Sequence, residues 1–70
     1  MSTLLATFHK PINCRAINPK FQDEESAKVI AIQTETGTDK NGTLNIYTSY
    51  LVVFHNMNLW MDSIEVKLQP

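Results

Sequence analysis

Residues 43 to 55 read Thr-Leu-Asn-Ile-Tyr-Thr-Ser-Tyr-Leu-Val-Val-Phe-His, a run rich in β-branched and aromatic side chains. Such side chains fit the pleated surface of a sheet, so the run predicts one long β-strand. It directly follows Asn41-Gly42, a dipeptide that readily adopts the positive φ values of tight hairpin turns. We therefore expect a hairpin with its turn at residues 38–42 to organise the fold.

The polarity of this strand changes along its length. Its even-numbered apolar residues share one predicted face: Leu44, Ile46, Tyr50, Val52 and Phe54. Near the end, Leu51 and Val53 fall on the face that should contact water. A run that is apolar on both sides is typical of a strand covered on both faces. The cover is expected to be either residues 3–8 folding over or a second subunit, which makes Leu51 and Val53 predicted self-association residues in a homodimer or higher homo-oligomer.

Three further strands are predicted around this one. Residues 28–36 carry β-branched Val29, Ile30 and Ile32, which favour a strand over a continued helix. After a turn at residues 56–58, residues 59–68 end in apolar and polar residues that alternate, which predicts a half-buried strand with Ile64 and Val66 on its inner face. The apolar residues 3–8 predict a first strand that ends before Pro11.

The connecting segments complete the prediction. Residues 11–21 contain two prolines and two asparagines, which indicate irregular chain around a short extended piece at residues 14–17. The acidic residues at the start of 23–27 suit the first turn of a helix. The expected fold is all-β, one domain over residues 1–70: a small antiparallel meander of four to five strands, barrel-like or sandwich, with one short helical turn near residues 23–27.

Composition narrows the function classes. In 70 residues with one cysteine there is no intrachain disulfide, and small cores of this size are commonly reinforced by oligomerisation. Six basic and seven acidic residues give a formal charge of −1, which indicates neither a polyanion partner nor a nucleic-acid mimic. No run approaches the ~20 apolar residues that span a bilayer, and no signal peptide is recognisable. We expect no membrane association and a location in the cytoplasm of a cell or of an infected host.

No reaction is indicated by the residues that carry chemistry. Cys14 with His9 or His55 would supply a thiolate and a base, or ligands for zinc. No local signature accompanies the cysteine, and the spacings match no closed metal site. The sequence therefore predicts a protein that is not an enzyme, with no cofactor, no metal site and no catalytic residues.

An apolar cluster around the last turn suggests a partner-binding surface. It consists of Met57, Leu59, Trp60 and Met61. Tryptophan and methionine are enriched in the centres of protein interfaces, although the same cluster could instead close one end of the core. The leading prediction is a non-enzymatic accessory or inhibitory module that occupies a surface of another protein, a class that includes phage and viral factors.

A single-stranded nucleic acid is the alternative partner. Small β-barrels bind single strands by stacking bases on aromatic side chains beside basic ones. The candidates here are Tyr47, Tyr50, Phe54, Trp60, Lys28, Lys40 and Lys67. The single arginine and the slightly negative charge make this the weaker hypothesis.

Overall fold

A computed structural model describes residues 2–69 of the chain. Five strands make up most of it, and their bounds are β1 Ser2–Asn18, β2 Asp23–Thr38, β3 Leu44–Phe54, β4 Met57–Asp62 and β5 Val66–Leu68. A single 3-10 turn, Ser63–Glu65, lies between β4 and β5 and is the only helical element among residues 2–69.

The strands form one antiparallel sheet with the order β4-β3-β2-β1-β5. β1 to β4 therefore form a meander, and β5 returns to pair with the far side of β1. The sheet curls into a half-barrel, so the predicted all-β, antiparallel, barrel-like architecture is confirmed.

The first strand is longer than predicted. Residues 11–21 were expected to be irregular, but β1 continues through Pro11 to Asn18. Proline is tolerated here because the register of β1 against β2 is interrupted between Thr7 and Ile12, so that no ladder hydrogen bond from position 11 is needed. The extended piece expected at residues 14–17 lies within this strand.

The helical turn predicted near residues 23–27 is wrong, because β2 begins at Asp23. Two of these acidic residues are bonded by partners on the neighbouring strand β1. The Arg15 Nε donates to Glu24 at 2.8 Å, and the amide of Asn18 donates to Glu25. The cross-strand partners outweigh the preference of acidic residues for a helix start.

Each of the three hairpin turns contains a residue with positive φ, and in the β1–β2 turn it is Gln22 with φ 55°. At the β2–β3 turn, Gly42 has φ 79° and the Asp39 carboxylate accepts from two backbone amides, those of Asn41 and Thr43, each at 2.9 Å. The predicted hairpin is therefore present. The β3–β4 turn is one step earlier than predicted, at residues 55–56, with φ 50° at His55.

The last predicted strand, residues 59–68, is interrupted. The Asp62 carboxylate accepts from the Ile64 amide at 3.2 Å and starts the 3-10 turn. This turn resets the alternation, so Met61 and Val66 are both buried although they are five positions apart. Ile64, predicted to face inward, is instead 87% exposed.

The sheet has a closed end and an open end. At the closed end one face, here called the inner face, buries the core: Cys14, Ala16, Val29, Val52, Phe54, Met61 and Val66. At the open end three strands continue beyond β4 and β5. We call this part the arm, and it comprises residues 2–7, 32–38 and 44–48.

Candidate functional site

The two faces of the sheet follow from the strand register, because residues directly opposite on paired strands share a face. Val52 of the core pairs with Leu59, whereas Leu51 pairs with Trp60. Leu51 and Trp60 therefore lie on the opposite side of the sheet, here called the outer face. Val53 is two residues from Leu51 and shares this face.

These three side chains form an apolar group on the outer face, which we call the outer patch: Leu51, Val53 and Trp60. Trp60 is 42% exposed, and Leu51 and Val53 are half-buried. No described residue covers them from a second layer, since the single sheet has its core on the inner face. The structure thus joins residues that the sequence assigned to two separate functions, self-association and partner binding.

Polar residues flank the outer patch at both of its ends, while Ala31 of β2 pairs with Leu51 at its side. Val53 lies between Asn58 on β4 and Lys28 on β2. Beyond Leu51, the next pair along the same face is Ser49 with Asp62. An apolar centre with a polar rim is the usual arrangement of a protein interface.

The other three predicted partner-binding residues lie on the inner face. Met57 pairs with Phe54, Leu59 with Val52, and Met61 with Tyr50. Met61 is only 5% exposed and belongs to the core, while Met57 and Leu59 are each 37% exposed at its margin. Counted back from Ile64 and Val66, the alternation predicted for residues 59–68 puts Trp60 inward and Leu59 and Met61 outward, and the structure reverses this.

The arm carries exposed apolar residues on both faces, and of these the sequence predicted only Tyr47 as a site residue, for stacking in the nucleic-acid alternative. The most exposed are Leu4, Leu5, Leu44, Ile46 and Tyr47, each at least 60% exposed. The strand pairing places Leu4 and Ile46 on the inner side and Leu5 and Tyr47 on the outer side. The signal available in the sequence was the run 2–8, which holds apolar residues but no charge.

A network of polar side chains lies at the closed end of the sheet, away from the arm. Asn18 is fully buried; its Oδ1 accepts from the Lys20 amide at 2.9 Å, and its Nδ2 donates to Glu25. His55 Nε2 lies 2.6 Å from the second carboxylate oxygen of Glu25. The hydrogen bond from Asn18 first, and then His55, hold the pKa of Glu25 below its ordinary value.

Cys14 and His55 line the same surface cavity, of about 440 Å³. A cysteine nucleophile must be a thiolate, which an electropositive and exposed setting favours. Cys14 is instead 1% exposed, and burial raises the pKa of its thiol. Cys14 therefore lacks the exposed, electropositive setting of a cysteine nucleophile.

Basic side chains are spread over the surface. Arg15 bonds Glu24, and the Lys67 amine lies 3.5 Å from the same carboxylate. These two cations hold the pKa of Glu24 below its ordinary value, with the Arg15 hydrogen bond as the largest cause. Lys28 lies beside the outer patch, while Glu35 directly faces Tyr47. The exposed aromatic residues thus share their face with charges of both signs.

Comparisons with protein-family models, with curated proteins and with solved structures find no match to this chain. Within residues 2–69, no helix has the length and apolar character to cross a membrane. The same residues bring no three histidine, cysteine or acidic side chains together in a group able to hold a metal ion.

Proposed function

We propose that this chain is a non-enzymatic protein-binding module, of the accessory or inhibitory kind, that occupies a surface of a partner protein through the outer patch. The observation that carries the proposal is the direct pairing of Trp60 with Leu51 on a sheet face that no described residue covers. We place its action in the cytoplasm of a cell or of an infected host, as a self-associating protein.

The energetics favour Trp60 as the centre of binding. Interfaces concentrate their binding energy in a few residues, among which tryptophan is over-represented, surrounded by a rim that excludes water. Trp60 presents close to half of its surface, and its backbone pairs with Leu51 of β3. A backbone that is already paired in a strand loses less entropy when a partner docks.

Affinity capture with the full chain tests the proposal. The bait is expressed in the native host, and the captured proteins are identified by mass spectrometry. Trp60→Ala is expected to cost about 2 kcal/mol or more of binding energy, about a thirtyfold loss of affinity. Circular dichroism should remain that of the unchanged chain, because Trp60 lies outside the core.

Phe21→Ala is the matched control. Phe21 is also an exposed aromatic residue, at 58%, but it lies in the β1–β2 turn away from the outer patch. It should capture the same proteins as the unchanged chain. If Trp60→Ala captures them equally well, the outer patch is not the binding surface. Met61→Asp is unsuitable here because it places a carboxylate in the core.

The nucleic-acid hypothesis is tested on the same variants. A labelled single-stranded oligonucleotide at low salt should show no change in fluorescence anisotropy on addition of the protein. Binding that weakens steeply with salt and is lost in Trp60→Ala would replace the proposed function with single-strand binding, since phosphate contacts release counterions.

A further inference from the structure

We infer that the outer edge of β1 at residues 2–8 is completed by the same edge of a second copy of this chain, in an antiparallel pairing centred on Leu5. This inference rests on the self-association included in the proposed function and names the segment responsible for it. The result is one continuous sheet across two subunits.

The edge is open in the single chain. Residues 2–7 pair with β2 on one side, while β5 reaches β1 only at residues 14–16. Among residues 2–69, no strand pairs with the other side of residues 2–7. Alternate residues of this segment therefore point their N–H and C=O groups outward, where they can form hydrogen bonds with a second strand.

The edge also lacks the usual protection against such pairing. Exposed edge strands generally carry lysine, proline or a bulge that discourages a second strand. Residues 2–8 contain no charge, no proline and no glycine. Leu4 and Leu5 are 74% and 62% exposed, one on each face, so both faces of the new pairing would gain apolar contact.

The arm's other edge is less accessible. Residues 44–48 of β3 also lie beyond the end of β4, which pairs with β3 only from Ser49 onward. The 3-10 turn Ser63–Glu65 contacts β3 beside this segment and carries the exposed Ile64. A second strand approaching there would meet this turn, whereas nothing described flanks the edge of residues 2–7.

Identical strands fit one another in this arrangement. A two-fold axis makes the pairing self-complementary, so residue i contacts j and j contacts i. With Leu5 opposite Leu5 of the second copy, Leu4 faces Ala6 and Thr3 faces Thr7 across the axis. The whole uncharged run 2–8 is used, and Lys10 stays outside the ladder. A formal charge of −1 per chain gives little repulsion between copies.

Analytical ultracentrifugation over a concentration series tests the inference. The unchanged chain should reach twice the mass of one chain. Leu5→Lys places two ammonium groups opposite each other and should raise the dimer dissociation constant at least about tenfold. Gln33→Lys adds the same charge to the same face, directly opposite Leu5 but one strand inward, and should dimerise as the unchanged chain does.

A second variant tests the register. In a Cys14→Ala background, Leu5→Cys should form a disulfide between copies under mild oxidation, because residues directly opposite lie within reach of each other. Gln33→Cys in the same background should remain uncrosslinked.

Three outcomes would overturn the inference. The first is that the unchanged chain remains a monomer at the highest concentration tested. The second is that Leu5→Lys and Gln33→Lys weaken the dimer equally. The third is that Val53→Lys dissociates the dimer while Leu5→Lys leaves it intact. The last result would assign self-association to the outer patch instead. Trp60→Ala should still dimerise, so a failure of partner capture and a failure of edge pairing are distinguished.

Discussion

The closed end and the arm are built from the same strands and similar side chains, yet they differ in what they bury. Val29, Val52 and Phe54 are at most 1% exposed, whereas Leu4 and Ile46 on the same face of the arm are 74% and 62% exposed. The difference arises because β4 and β5 are short and flank only the closed end. The closed end therefore supplies the chain's own stability, and the arm supplies surface for something else.

Within one sheet, the residues that stabilise the fold and the residues that are available for binding can therefore lie at opposite ends of the same strands. Large exposed apolar patches on a small protein usually mark interaction sites. In this protein the exposed apolar residues lie on the arm, where the side chains of the inner face do not form a core. The variants below compare the two ends, beginning with the largest expected effect.

Phe54→Ala should destabilise the chain most. Phe54 is the largest fully buried side chain, and phenylalanine to alanine changes in cores cost about 3–5 kcal/mol. Since a core of this size supplies only ~3–5 kcal/mol, the variant should be largely unfolded by circular dichroism. Phe54→Leu keeps most of the volume and should give a measurable urea transition.

Ile46→Ala, on the arm, is the control for Phe54→Ala. It should lower the free energy of unfolding of the monomer by less than ~1 kcal/mol. A cost as large as that of Phe54→Ala would mean that the arm has an apolar cover in the monomer, and the contrast between the two ends would fail.

Asn18→Ala should have the next largest effect. The change leaves the Lys20 amide without its 2.9 Å acceptor and removes a donor to Glu25, at a fully buried position. A loss of this kind costs about 1–3 kcal/mol, measured by urea denaturation. Asn45→Ala removes a longer, 3.4 Å bond on the arm and should cost far less. Equal costs would contradict the assignment of stability to the closed end.

Gly42→Ala should weaken the tip of the arm by about 1–2 kcal/mol, because φ 79° is unfavourable for a residue with a Cβ atom. Beyond the two adjacent residues, no heavy atom lies within 4 Å of the added Cβ, so tertiary contacts add no steric cost. Hydrogen exchange should accelerate at the ends of β2 and β3 while the closed end keeps its protection. Gly37→Ala, in a strand without positive φ, should leave exchange nearly unchanged. Faster exchange throughout the chain would mean that the two ends unfold together.

The smallest effect should be an acid dependence that Glu24 and Glu25 contribute at the closed end. The pKa values of Glu24 and Glu25 lie below the ordinary 4.5 in the folded chain, so the unfolded chain binds more protons as the pH falls through this range. Their stabilising contribution is present above pH 4.5 and is lost as the pH falls through the folded-state values. Glu25→Gln should flatten the fall in urea midpoint at acid pH.

Glu35→Gln, on the arm, is the comparison for this acid dependence. Glu35 accepts a hydrogen bond from Gln33 at the exposed surface, and the substitution removes a carboxylate from the arm while leaving Glu24 and Glu25 in place. If it flattens the profile as much as Glu25→Gln does, the acid dependence is not specific to the closed end.

Much of the sheet was predictable because its signals are local. The Asn41-Gly42 turn and the alternation of Leu44, Ile46, Val52 and Phe54 depend only on neighbouring residues, and the structure has both. β1 through Pro11 and β2 from Asp23 were not predictable in this way. They depend on a register break and on ion pairs with residues that are distant in sequence.

The outer patch was half predicted. Leu51 and Val53 were correctly placed opposite the core face because β3 is regular. Trp60 was placed on the wrong face, since alternation was counted backward from Ile64 and Val66 through the 3-10 turn that interrupts it. The sequence signal for this interruption was Asp62-Ser63, since aspartate and serine commonly start a helical turn, inside a segment that otherwise alternates like a strand.

The register break at Ile30 bears on how this chain tolerates changes of length. Val29 pairs with Val52 and Ala31 with Leu51, so Ile30 is one residue in excess on β2. Deleting a residue from a strand ordinarily turns every later side chain to the opposite face. Deleting Ile30 would instead restore strict alternation with every later residue on the face it already occupies. Loss of a single codon at this position would therefore keep the later residues of β2 on the sheet faces that they already occupy against β3.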